Sequence, residues 1–79
     1  MVDAKLVGEV IYKRRQGKGF SQEVLSGLAG LDRTHYSKIE RGLRSPNLET
    51  FFKIASALDI KPHELMKDIE AAVEAEEDL

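Results

Sequence analysis

Cysteine is absent from these 79 residues, and the two histidines, His35 and His63, stand far apart with no other soft ligand nearby. That excludes a disulfide framework and a zinc site. Apolar runs are only a few residues long, so no transmembrane helix and no membrane partner are expected. The N-terminus lacks a signal-peptide hydrophobic region, which makes a reducing cytoplasm the expected compartment. There is no internal repeat and no low-complexity linker. No nucleophile–base pair, metal-ligand cluster or phosphate-binding glycine loop is present, so neither enzymatic chemistry nor a cofactor is expected. The length suits one domain over residues 1–79, near the lower end of what folds without staples. It leaves no room for an effector-binding or self-cleaving domain, and no small-molecule ligand is expected.

Net charge is also nearly missing, at −2, but the two signs are unevenly distributed. Residues 1–58 hold ten Lys/Arg against six Asp/Glu, a balance of +4, whereas residues 59–79 hold two against eight, a balance of −6. Such asymmetry fits a basic contact surface with an acidic region kept away from it. An ordinary solvated surface fits it equally well.

Helical signals dominate and strand signals are absent, so the fold class is all-α with five helices. The first pattern, about Ala4 to Gln16, spaces Leu6, Val7, Val10, Ile11 and Arg14 as a helix does. It ends at Gly17-Lys18-Gly19. Ser21 then caps a short helix reaching about Leu28. Gly30 makes a corner, and Asp32 caps a third helix to about Arg41. Residues 42–46 form a loop. Asn47 caps a fourth helix, about Leu48 to Leu58, in which Leu48, Phe51, Ile54, Ala55 and Leu58 fall on one core-facing stripe. Phe52 lies at the stripe's edge, either capping the core or meeting a second subunit. Pro62 suits the first position of a fifth helix, where Leu65, Met66, Ile69 and Val73 make another stripe. Residues 74–79 read as a fraying, solvated end.

The third helix has the most distinctive faces. At about 100° per residue, Arg33, Ser37, Arg41, Thr34 and Lys38 share one side, while Tyr36, Ile39 and Leu43 face the core. Glu40 and His35 sit on the borders. Every outer side chain can donate a hydrogen bond and none is acidic, which is what a helix needs to lie in the DNA major groove. Arg33 and Thr34 stand at its N-terminal end, where base edges are reached, with Lys38 one turn on. Arg and Lys pair with guanine O6 and N7; Thr bonds a base or phosphate and touches the thymine methyl. Taken alone, the wheel also suits a solvated amphipathic helix that binds nothing.

Gln22, Gly30, Leu31, Ile39, Glu40 and Gly42, followed by Pro46 and LETFFKIASALDI, resemble the phage-repressor (Xre/Cro-like) helix-turn-helix family. The resemblance runs from the first helix to Met66, with the helix-turn-helix at about 21–42. Within that family, LDRTHYSKIERG is most similar to controller proteins of bacterial restriction–modification systems. The resemblance implies a compact lambda-repressor-like domain with Arg33, Thr34 and Lys38 reading bases. It implies that Gln22 bonds a phosphate and braces the third helix, with Ser21, Ser37, Arg41, Arg44 and Asn47 also on the DNA backbone. Glu40 would pair with Arg15 of the first helix, although a phosphate contact is the other role open to Arg15. Two residues depart from the family: Ser26 replaces an alanine, and Tyr36 an aliphatic residue. The Ser26 hydroxyl is expected to bond within its own helix. The Tyr36 ring is expected to fill core while its hydroxyl reaches outward. His35 is either partly packed or a phosphate or base-edge contact.

The expected function is sequence-specific binding of double-stranded DNA by a cytoplasmic, nucleoid-associated transcriptional regulator. One such helix covers few base pairs. A homodimer on a pseudo-palindromic operator is therefore expected, with the two helices about 34–36 Å apart. Phe52, Ile60, Leu65, Met66 and Ile69 are the candidate dimer surface. Autoregulation through protein concentration would suit the controller resemblance. The acid excess in the fifth helix leaves a second class open, an antitoxin-type module that sequesters a protein partner.

Overall fold

Four of the five helices begin at a side-chain cap that the sequence makes explicit. In the computed structural model, which describes residues 1–78, α1 spans Ala4–Lys18, α2 Gln22–Ala29, α3 Arg33–Glu40, α4 Leu48–Ala57 and α5 Pro62–Glu77. The Asp3 carboxylate accepts from the Leu6 amide at 2.8 Å, Ser21 from Val24 at 3.1 Å, Asp32 from His35 at 3.2 Å and Asn47 from Thr50 at 2.8 Å. Each satisfies an amide that has no partner inside its own helix. Lys61, before α5, offers no acceptor. There the Glu64 carboxylate reaches back to the Lys61 amide at 3.1 Å, and Pro62 occupies the first helical position, where its missing N–H is not needed.

The α2–α3 corner depends on Gly30. Its φ of 68° is left-handed, and the turn it makes lets the Leu31 amide donate back to the Ser26 carbonyl at 2.9 Å. A side chain at that position would strain the turn. After α3 the chain turns in the same way at Gly42, and α4 begins six residues later.

The core joins Leu6, Val7, Val10 and Ile11 of α1, Leu25 of α2, Tyr36 and Ile39 of α3, Phe51, Ile54 and Ala55 of α4 with Leu58, and Leu65 and Ile69 of α5. Each large apolar side chain removed from water here contributes about 1.5–3 kcal/mol. Helix α3 packs on α1 and α2, whereas α5 packs on α1 and α4. The α3 outer face and the acidic α5 are therefore built onto different neighbours, with α1 shared between them.

Several expectations need correcting. Helix α1 continues to Lys18, so Gly17 lies inside it. Leu48 is 72% exposed and Leu43 63% exposed; neither joins the core. Leu48 is the first residue of α4, at its exposed end, and Leu43 lies past the end of α3. Leu65 and Ile69, proposed as dimer contacts, are buried against α1 and α4 and have no surface to offer a second subunit. Residues 74–77 continue α5 rather than fray, because helical hydrogen bonding carries on past the last core contact; Leu79 lies outside the described residues. No described helix is long and apolar enough to cross a membrane.

Candidate nucleic-acid interface

Helix α3 is held at its last residue by a buried polar cluster. The Glu40 carboxylate accepts from Arg15 Nε at 2.9 Å and Nη2 at 2.6 Å, from the Tyr36 hydroxyl at 2.6 Å and from Gln22 Nε2 at 3.1 Å. Arg15 also donates to the Phe20 carbonyl at 2.7 Å, and its guanidinium lies 5.3 Å from the Tyr12 ring centre. Side chains from α1, α2 and α3 thus meet on one carboxylate. Burial pushes the Glu40 carboxyl upward, but the hydrogen bonds from Arg15, Tyr36 and Gln22 outweigh it and hold the group below the ordinary carboxylate range. Burial first, and then the bond to Glu40, raises the Tyr36 hydroxyl well above its ordinary value. Tyr36 is 0% exposed, so its hydroxyl turns inward to Glu40 and not outward as expected. Arg15 is consumed by the same cluster, which leaves it no freedom to touch phosphate. Ser26, by contrast, bonds the Glu23 carbonyl of its own helix at 3.2 Å, as expected.

The opposite face of α3 is open. Arg33, Thr34 and Arg41 are exposed, and Ser37 and Lys38 are half-exposed. Among the described residues none of Arg33, Lys38, Arg41 or Arg44 forms an ion pair. The cations that are neutralised lie elsewhere. Arg15 pairs with Glu40, Arg14 of α1 with Asp68 of α5, and Lys53 with Glu49. A shallow depression of about 180 Å³ brings together Gln22 from the start of α2 and Arg33, Thr34, Ser37 and Arg41 from α3. Every lining residue is polar, none is acidic and two carry free guanidinium groups, a surface matched to phosphate oxygens and base acceptors.

The remaining candidates flank it. Ser21 and Asn47 use an oxygen as helix cap, but the Ser21 hydroxyl proton and the Asn47 amide protons remain available to an outside acceptor. Arg44 is exposed in the loop between α3 and α4. His35 is half-buried, with its amide on the Asp32 cap. Gln22 has one amide proton on Glu40 while also lining the depression, so it joins the buried cluster to the open face.

The sequence matches the family described as Helix-turn-helix over residues 11–65. The chain belongs to that family. Among its helix-turn-helix relatives is the control protein C.MunI of a Mycoplasma species, 42% identical over 57 residues covering 72% of this chain and 77% of that protein. Another is the control protein C.BamHI of Bacillus amyloliquefaciens, 39% identical over 62 residues covering 77% and 76%. The crystal structure of the restriction-modification controller protein C.AhdI from Aeromonas hydrophila aligns with a TM-score of 0.75 and 44% identity, over 78% of this chain and 94% of that one. Wild-type controller protein C.Esp1396I aligns with a TM-score of 0.82 and 30% identity, over 89% and 91%. The match extends from Ile11 in α1 to Leu65 in α5, so it includes both the Glu40 cluster and the open face of this helix-turn-helix.

An apolar surface lies apart from that face. Phe52 of α4 is 56% exposed and Met66 of α5 47% exposed, and both line a hollow with Leu48, Pro62 and His63. Ile60 is half-buried beside it. The sequence missed Leu48 here, and it had no signal for the Tyr36 contact or for the Phe20 carbonyl beneath Arg15.

Proposed function

We propose that this protein is a transcriptional regulator that reads a pseudo-palindromic DNA site as a homodimer, autoregulating in the manner of a controller. The supporting observation is the uncovered, acid-free face of α3, set on a helix clamped from behind by the Glu40 cluster. Arg33, Thr34 and Lys38 read bases; Ser21, Gln22, Ser37, Arg41, Arg44 and Asn47 hold the phosphate backbone and set register. Phe52 and Met66, with Ile60 and Leu48 at the margin, form the two-fold contact. Their exposure in a single copy supports that role, since apolar patches of this kind mark interaction sites. Occupancy then follows protein concentration through dimerisation. The names of the relatives, control and controller proteins, support the autoregulatory part of the reading.

Selection of bound duplexes from a random pool tests the function directly. A recovered inverted repeat with half-sites about one helical turn apart is the expected result; recovery of no common sequence would reject it. In the selected duplex, Arg33→Ala should remove the preference over random DNA by roughly 1–3 kcal/mol while sparing most non-specific affinity. Equal loss on both duplexes would refute a base-reading role for Arg33.

A further inference from the structure

Helix α1 meets the last turn of α3 through bare backbone. Gly8 is buried, and a Cβ built on it would stand 2.4 Å from the Glu40 carbonyl oxygen and 2.6 Å from that of Ile39. On the other side of the contact, a Cβ on Gly42 would lie 2.7 Å from Lys5 Cα. Lys5 and Gly8 are one turn apart on the same face of α1. Those nearest obstructing atoms are main chain, so no rotamer change could make room for a side chain at position 8. The helices would have to separate.

Two turns further along α1 stands Arg15. Glu40 is consequently gripped at both of its ends. Its carboxylate is drawn to Arg15, and its carbonyl is laid on Gly8. The side-chain grip can flex at Arg15, whereas the main-chain grip has a distance set by the missing methyl group.

We propose that Gly8 is a positioning residue for base reading: its lack of a side chain sets the tilt at which α3 presents Arg33, Thr34 and Lys38. This rests on the reading of α3 as the DNA-contacting helix. Ordinary contact begins near 3.4 Å, so an alanine methyl would drive the helices apart by up to about 1 Å at this point. An eight-residue helix is roughly 12 Å long, which turns that displacement into a tilt of about 5°. Productive contacts tolerate only about 0.5 Å. Lys38, beside the contact, moves most and Arg33 least.

The test compares the full chain, Gly8→Ala and Gly27→Ala on the duplex selected by the unsubstituted protein and on a shuffled duplex, across a salt series. Gly27 lies in α2 with nothing within 4 Å of a built Cβ, so it controls for a glycine-to-alanine change in a helix. Expected for Gly8→Ala are a folded protein, an unchanged salt slope and shuffled-duplex affinity within about twofold, while selected-duplex affinity falls roughly tenfold or more, the worth of one good base contact. Gly27→Ala should keep both affinities. Amide shifts in free Gly8→Ala should move across residues 38–43. A folded Gly8→Ala that keeps the original preference, or loses both affinities equally, overturns the proposal. If Gly8→Ala is unstable, it is repeated in the Gly27→Ala background, which removes a helix-interior glycine. Failure to fold there would make Gly8 a requirement of the whole fold and would also overturn the proposal. Absence of any preference in the unsubstituted protein rejects the DNA-reading function itself, and that result appears before any substitution is made.

Discussion

Removing the Arg15 side chain should expose how strongly the third helix depends on its buried anchor. Arg15→Ala deletes two hydrogen bonds to Glu40 and one to the Phe20 carbonyl, leaving the carboxylate enclosed with only Tyr36 and Gln22 as donors. Breaking a buried pair from one side destabilises by about 3–5 kcal/mol. A chain of this size has a total stability of about 4–12 kcal/mol, so the loss is a large share of the whole. Urea unfolding followed by circular dichroism measures it, and the pH dependence identifies its origin. In the intact protein the folded Glu40 pKa lies below the ordinary value of 4.5. Its stabilisation is therefore fully present above about pH 4.5 and fades as pH falls through the lower folded pKa. Without Arg15, burial dominates and raises the folded pKa above the unfolded one. Glu40 then penalises the fold increasingly as pH rises through that raised value. The gap between the two proteins should be widest near neutrality and close on acidification. Adding Glu40→Gln to Arg15→Ala should recover part of the loss at neutral pH. A deficit below about 1 kcal/mol, or one equal at neutral and acid pH, would refute the buried-pair argument.

Arg44→Ala should weaken binding to selected and random duplexes alike and flatten the logarithmic salt dependence by about 0.9 per lost phosphate contact; an unaltered slope would remove Arg44 from the interface. If the proposed dimer forms through this face, Phe52→Glu should leave the protein monomeric in sedimentation while changing thermal stability little, because the ring is 56% exposed in the single copy. Leu65→Ala makes the contrast: as a fully buried core residue it should lose about 2–5 kcal/mol of stability, and a marginal loss would restore it to the surface. Asp59 holds a left-handed φ of 59° after α4. Asp59→Gly should raise stability by about 0.5–1 kcal/mol by relieving the steric penalty on a side chain there; a lowered melting temperature would contradict that account.

Local chemistry explains which parts of this architecture were readable in advance. A cap depends on one side chain and an amide three residues away, so Asp32, Ser21 and Asn47 announced their helix starts. The corner at Gly30 follows equally from a residue's own conformational range. The α3 face was legible because a helical period sorts Arg33, Thr34, Ser37, Lys38 and Arg41 from Tyr36 and Ile39 without reference to any neighbour. Other assignments required knowing what stands opposite. The period placed Leu48 with Phe51 and Leu65 with Met66, yet Leu48 and Met66 are exposed while Phe51 and Leu65 are buried. An apolar stripe is wider than the surface its neighbours cover, and only their positions decide which edge stays wet.

The order of residues by itself determined five helices, their boundaries to within two residues except at the end of α5, and the donor-only outer face of the third, because caps, glycine turns and periodicity act within a few positions. Tertiary structure alone decided that Tyr36 turns its hydroxyl inward, that Leu65 and Ile69 belong to the core, and that Gly8 lies against the main chain of α3. Those outcomes depend on contacts between helices distant in the chain, whose distances no local pattern encodes.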